Sequence, residues 1–175
     1  MQLSRKALNS RWAWTSAGAI AVLVVLNLAD TWLRAKSGYG AADLQFMSAG
    51  AIYPVIVAWS SLPNAVLAGF GLGLDFLLMP LYAAALFYGS VAAIDRFASK
   101  EGRLRRVLTV CAMAPVAAAI FDACENALQI AMLTGGPSAT LAAYAMQATT
   151  AKFAGIAIGL VLTLGGVVGL FWKKA

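Results

Sequence analysis

Asp122, Glu125, Asn126 and Gln129 follow one another at i, i+3, i+4 and i+7 within an apolar stretch. On a helix that spacing sets all four on one face. Carboxylates beside amides hold protons, hard cations and small polar solutes, and ionisable groups inside a membrane span are costly enough to mark such pathways. Other apolar runs carry similar groups. Glu125 lies nine residues from Thr134, Asp75 eleven from Asn64 and Lys152 eleven from Leu141. At about 1.5 Å per residue, Glu125 is roughly 13 Å from its helix end and the other two are at a similar depth. Asn27, Asp30, Thr31 and Arg34 repeat the i, i+3, i+4, i+7 pattern in the first run, toward the same end. The residues expected to line a ligand site are Asn27, Asp30, Asp75, Tyr82, Asp122, Glu125, Asn126, Gln129, Gln147 and Lys152. Apart from Tyr82 and Tyr88, the other half of the bundle is nearly bare of polar groups.

Lys152 shares its helical side with Ala145, Ala148, Gly155 and Gly159, and the two glycines form a small-xxx-small pair. Such a face lets helices approach closely, so Lys152 is expected to point at protein and to need an anion, supplied by Asp75, Asp122 or Glu125. Three functions follow. The first is binding or moving a cation, proton or small polar or amphipathic ligand; any metal would be a hard cation on Asp75, Asp122 and Glu125. The second is a small intramembrane enzyme acting on a lipid or isoprenoid, with Asp75, Asp122 or Glu125 as acid and base and Lys152 stabilising negative charge. The third is an accessory subunit of a membrane complex, in which the same groups only hold helices together.

The elements that position these residues are transmembrane helices. The chain has 175 residues, 62% apolar and 11% charged, against about a quarter charged in a soluble domain. Runs of about 20 apolar residues span a bilayer as helix, and four such helices are expected at about 12–34, 66–95, 107–133 and 141–171. The fold class is an all-α four-transmembrane-helix bundle forming a single domain over residues 1–175. The first run is longer than a signal-peptide core and is read as an uncleaved span. Pro80 and Pro115 are expected to kink their helices, and Gly135, Gly136 and Pro137 to turn the chain. Residues 41–61 hold a shorter apolar stretch broken by Pro54, expected to be an outer interfacial segment.

Ten of the 13 basic residues fall at the N-terminus, in the 95–106 link and at the C-terminus, which places both termini in the cytoplasm. Trp12, Trp14 and Trp172 then mark the inner interface, and Trp32 and Trp59 the outer one. The net charge of +6 is explained by this bias, and no nucleic-acid partner is expected. The expected partners are the lipid bilayer and further copies of the chain in a homo-oligomer. With no histidine, neither a His-ligated haem nor an ordinary zinc site is expected. Cys111 and Cys124, thirteen residues apart on one helix, are beyond disulfide reach and are read as buried apolar thiols.

Asp43-Leu44-Gln45-Phe46, Leu74-Asp75-Phe76 running into Pro80-Leu81-Tyr82, Asp122-Ala123-Cys124-Glu125-Asn126 and Lys152-Phe153 together resemble an uncharacterised family of small bacterial four-helix membrane proteins. The likeness covers roughly residues 43 to 155, and the Asp-x-x-Glu-Asn segment is its most specific element. It implies a multi-pass protein of the bacterial inner membrane and points at the same polar residues, without implying a reaction.

Overall fold

The structure is a computed structural model that describes residues 4–46, 52–98 and 102–172, with the side chains at 46 and 170–172 left aside. Lys100, Lys173, Lys174 and the Trp172 side chain, used above to orient the chain, lie outside what is described. Seven helices follow in order: α1 (Arg5–Ser37), α2 (Ala41–Phe46), α3 (Ile52–Trp59), α4 (Leu62–Phe97), α5 (Arg103–Cys111), α6 (Ala114–Gly135) and α7 (Ala139–Trp172). Every element among the described residues is helical. Four stretches are long and apolar enough to cross a membrane: α1, α4, α5 with α6 over Arg103–Gly135, and α7 over Ala139–Gly169.

Helix ends follow local chemistry. α1 stops where Gly38 takes φ 82°, with Gly38 N–H donating to the Arg34 carbonyl at 2.9 Å; glycine meets a left-handed C′ position without a Cβ clash. Gly136 does the same after α6, at φ 94°, donating to Met132 O at 2.9 Å. The turn expected at Gly135–Pro137 is therefore present. The prolines behave differently from each other. Pro80 sits inside an unbroken α4. At Pro115 the chain does more than kink. α5 ends at Cys111, Met113 N–H reaches back only to Val110 O at 3.0 Å, and α6 begins afresh at Ala114. A proline cannot donate to the carbonyl four residues earlier and crowds it, and that carbonyl belongs to Cys111, the last residue of α5.

The long helices divide between two compact units. One comprises Met1–Ala19, Pro80–Ala119 and Lys152–Ala175, and the other Ile20–Met79 and Ile120–Ala151. In the first, glycines on one side of α7 let neighbouring helices close in. A Cβ on Gly155 would meet the Ala114 carbonyl oxygen at 2.7 Å, one on Gly159 the Pro115 ring at 2.4 Å, and one on Gly166 the Ala93 Cβ at 2.3 Å. Within the same unit the buried Ser90 hydroxyl donates to Gly159 O at 3.4 Å.

The second unit has an apolar core of Leu33, Leu44, Ile52, Val55, Ile56, Trp59, Ala68, Met132 and Ala142. The stretch expected at a membrane interface thus contributes α2 and α3, whose apolar faces are buried in protein. Pro54 is tolerated because it falls in the first turn of α3. Trp59 is 2% exposed and its indole N–H donates to the Tyr39 carbonyl at 3.1 Å. It is a core residue, not an interfacial anchor; Trp14 and Trp32, 77% and 66% exposed, suit that role. Both cysteines are free, and Cys124 is exposed, which corrects the reading of two buried thiols.

Candidate functional site

The polar face anticipated on the helix of Glu125 is formed by α6. Asp122, Glu125, Asn126 and Gln129 are all 3% exposed or less, and Glu125 is wholly buried. The helical period explains it. The four residues share a face with Met132, a residue of the second unit's core that is itself wholly buried, so the apolar packing that buries Met132 buries them too. Gln129 Nε2 donates to Glu125 Oε1 at 2.8 Å, one turn away along α6.

The face extends to α4. Asn126 Nδ2 donates to Asp75 Oδ2 at 3.0 Å and to the Leu72 carbonyl at 3.3 Å. Both amide hydrogens are thereby used, one on a side chain and one on the α4 backbone. The Asn126 Oδ1 is left to act as an acceptor. The arrangement is two carboxylate–amide pairs, Asp75 with Asn126 and Glu125 with Gln129, and a third acid, Asp122, on the same buried face. Such pairs hold carboxyl groups in place, and carboxyl oxygens are atoms that take a proton or contribute to a polar ligand's shell.

Of the ten residues anticipated, five therefore come together in the second unit: Asp75, Asp122, Glu125, Asn126 and Gln129. Lys152 is buried as expected, 4% exposed, with its Nζ 5.0 Å from the centroid of the neighbouring Phe153 ring. It belongs to the first unit, as does the half-buried Tyr82. The remaining three are placed differently. Asn27 is exposed and its side chain bonds back to its own helix, at 2.7 Å from Leu23 O. Gln147 is exposed on α7. Asp30 serves structure: its Oδ1 accepts the Ala41 N–H at 2.5 Å, satisfying a first-turn donor of α2 that has no partner within the helix. The Arg34–Asp43 ion pair, 2.7 Å, ties α1 to the same helix.

No group of three His, Cys, Asp or Glu among the described residues is placed to hold a metal ion. The trio Asp75, Asp122 and Glu125 thus does not assemble as a metal centre. Buried Thr149 was not anticipated; its hydroxyl donates to Ala145 O at 2.9 Å. Its signal was available, since Ala142, Ala145, Thr149 and Lys152 recur at helical spacing and all are buried. No family model, curated protein or solved structure matches the chain.

Proposed function

We propose that this chain is a multi-pass protein of a bacterial inner membrane, crossing it four times with both termini in the cytoplasm. Its carboxylate–amide face takes up a proton or small cation within the bilayer. The observation that carries this reading is the burial of Asp122, Glu125, Asn126 and Gln129 on one side of α6, with Asn126 bonded to the Asp75 carboxylate of α4. An acid at a span's centre costs about 2.5–3.5 kcal/mol to insert, on translocon scales. An interhelical hydrogen bond in a membrane returns on average only ~0.6 kcal/mol. Acids at that cost are kept in spans where they take part in ion and proton pathways, and a face whose carboxyls exchange a proton or ion gives a reason to keep them.

The orientation rests on charge. Arg5, Lys6, Arg11, Arg96, Arg103, Arg105 and Arg106 flank one end of the spans, with only Arg34 and Lys36 at the other, and basic loops stay cytoplasmic.

The test is ion flux in liposomes reconstituted with the full chain, with an entrapped pH dye for protons and tracer sodium and potassium for cations. Flux above that of empty liposomes is expected for one of these, falling to the empty level in Glu125→Gln and Asp75→Asn. No flux from the native chain, or unchanged flux in both variants, overturns the reading.

A further inference from the structure

A second feature lies in the first unit. A cleft of about 270 Å³ opens between the start of α1, the end of α4 and the far part of α7. That is far above the ~10–15 Å³ that one water needs. Arg5, Asn9 and Trp12 line it from α1, Arg96 from α4, and Thr163 and Val167 from α7. Its floor is made of small residues: Gly89, Ala92, Ala93 and Gly166. Gly89 brings the Trp12 indole nitrogen to 2.9 Å from where a Cβ would stand, so the indole edge sits at the cleft.

The charge around this cleft is uneven. Its acid, Asp95, pairs with Arg105 of α5, while Arg5 and Arg96 also line the cleft. These two arginines, both exposed, stand beside a surface that is mostly apolar, with Asn9 and Thr163 as its uncharged polar members. A ligand matching both parts has an anionic head and a hydrocarbon tail. Basic pockets between helices at the cytoplasmic end of spans suit phospholipid headgroups, and guanidinium recognises phosphate by paired N–H donors.

We propose that this cleft binds an anionic phospholipid, its phosphate held by Arg5 and Arg96 and the start of an acyl chain seated over Gly89, Ala92 and Ala93. The inference rests on the membrane-spanning part of the function proposed above, and not on the carboxylate site.

Native mass spectrometry of the full chain, released from micelles doped with phosphatidylglycerol or with phosphatidylcholine of the same acyl chains, tests it. Phosphatidylglycerol is expected to stay bound where phosphatidylcholine does not. The Arg5→Gln/Arg96→Gln variant is expected to lose about 30-fold in retention, from the effect of two basic residues near an anionic lipid surface. Ala13→Phe, which fills the cleft from an exposed position on α1, is expected to lose retention with all the arginines intact. Equal retention of both lipids by the native chain, or undiminished phosphatidylglycerol in both variants, overturns the inference. So does release of the lipid by millimolar inorganic phosphate, which would make this a free-phosphate site. An alkaline carbonate wash of membranes separates the two readings. A chain that washes off loses the membrane reading, whereas one that stays but prefers neither lipid loses only the lipid site.

Discussion

Asn126 joins two helices through one amide, and its two hydrogens go to different parts of α4: the Asp75 carboxylate and the Leu72 carbonyl. Asn126→Ala removes both donors in a buried place, where a lost partner costs about 1–3 kcal/mol. Removing both side chains costs less than the sum of the single changes. A double-mutant cycle of Asp75→Ala and Asn126→Ala, read by reversible unfolding in mixed micelles, should give a coupling of about 0.6 kcal/mol, the average for membrane hydrogen bonds, and no more than ~1.7 kcal/mol, their maximum. A coupling of zero would mean that the pair does not form in lipid. At this scale the sequence was legible where period and apolar neighbours agreed. The α6 set was readable because its face carries Met132 into the core. The same spacing on α1 misled, because periodicity says which residues share a face and not whether that face meets protein or lipid. Asn27 and Thr31 both turn back to carbonyls of their own helix, Leu23 O and Asn27 O, a bond open to a short side chain that carries a donor. Asp30 was misread for a different reason. Its partner is a backbone N–H eleven residues away, at the start of a short helix that periodicity does not announce.

Among elements, α7 shows how close approach is encoded. Gly155, Gly159, Gly166 and Gly169 all have neighbours inside normal contact distance of an added Cβ, whereas Gly165 has none within 4 Å. Gly159→Ala must push the Pro115 ring aside, and overpacking of this kind costs about 1–3 kcal/mol. Gly165→Ala meets open space, and its stability should be unchanged or slightly raised through helix propensity. Thermal denaturation of the two variants in one detergent checks the contrast. Equal effects would mean that α7 does not use this face. The small-xxx-small pair Gly155 and Gly159 was legible in the sequence, and so was the importance of Pro115. That the helix restarts there, leaving α5 as a separate nine-residue helix, was not. A proline announces a lost hydrogen bond, but whether the chain bends or breaks depends on what surrounds it. Here the Pro115 ring is fixed against Gly159, while Arg105 of α5 is held by Asp95 at the end of α4. Neither partner is on the broken helix itself: Asp95 lies near the end of α4 and Gly159 on α7.

For the whole molecule, length and apolar content were enough to anticipate four helices long and apolar enough to cross a membrane, since the bilayer's thickness fixes how many apolar residues each one needs. Much of this surface suits lipid: Ile20, Leu23, Val24, Val25 and Leu28 of α1 are all at least 45% exposed, which water would penalise and hydrocarbon would not. The stretch between the first two spans was less legible. Its apolar residues could equally have met lipid headgroups, and only the packing of Trp59, Ile56 and Leu44 with Met132 and Ala142 makes them core. Orientation is the property most open to direct measurement. Ser4 precedes α1 and Ser61 precedes α4, and both are exposed. With Cys111 and Cys124 replaced by serine, single cysteines at these two positions report which side each occupies. The positive-inside bias predicts that a membrane-impermeant maleimide added to spheroplasts labels Ser61→Cys and spares Ser4→Cys until the membrane is permeabilised. The opposite pattern would invert the topology. It would also place the basic end, with the cleft of Arg5 and Arg96, in the outer leaflet, where the anionic lipids of a cytoplasmic surface would not be its source. Labelling of both without permeabilisation would mean that the four helices do not span the bilayer as a set, and the buried acids of α6 would then have to be explained without a membrane around them.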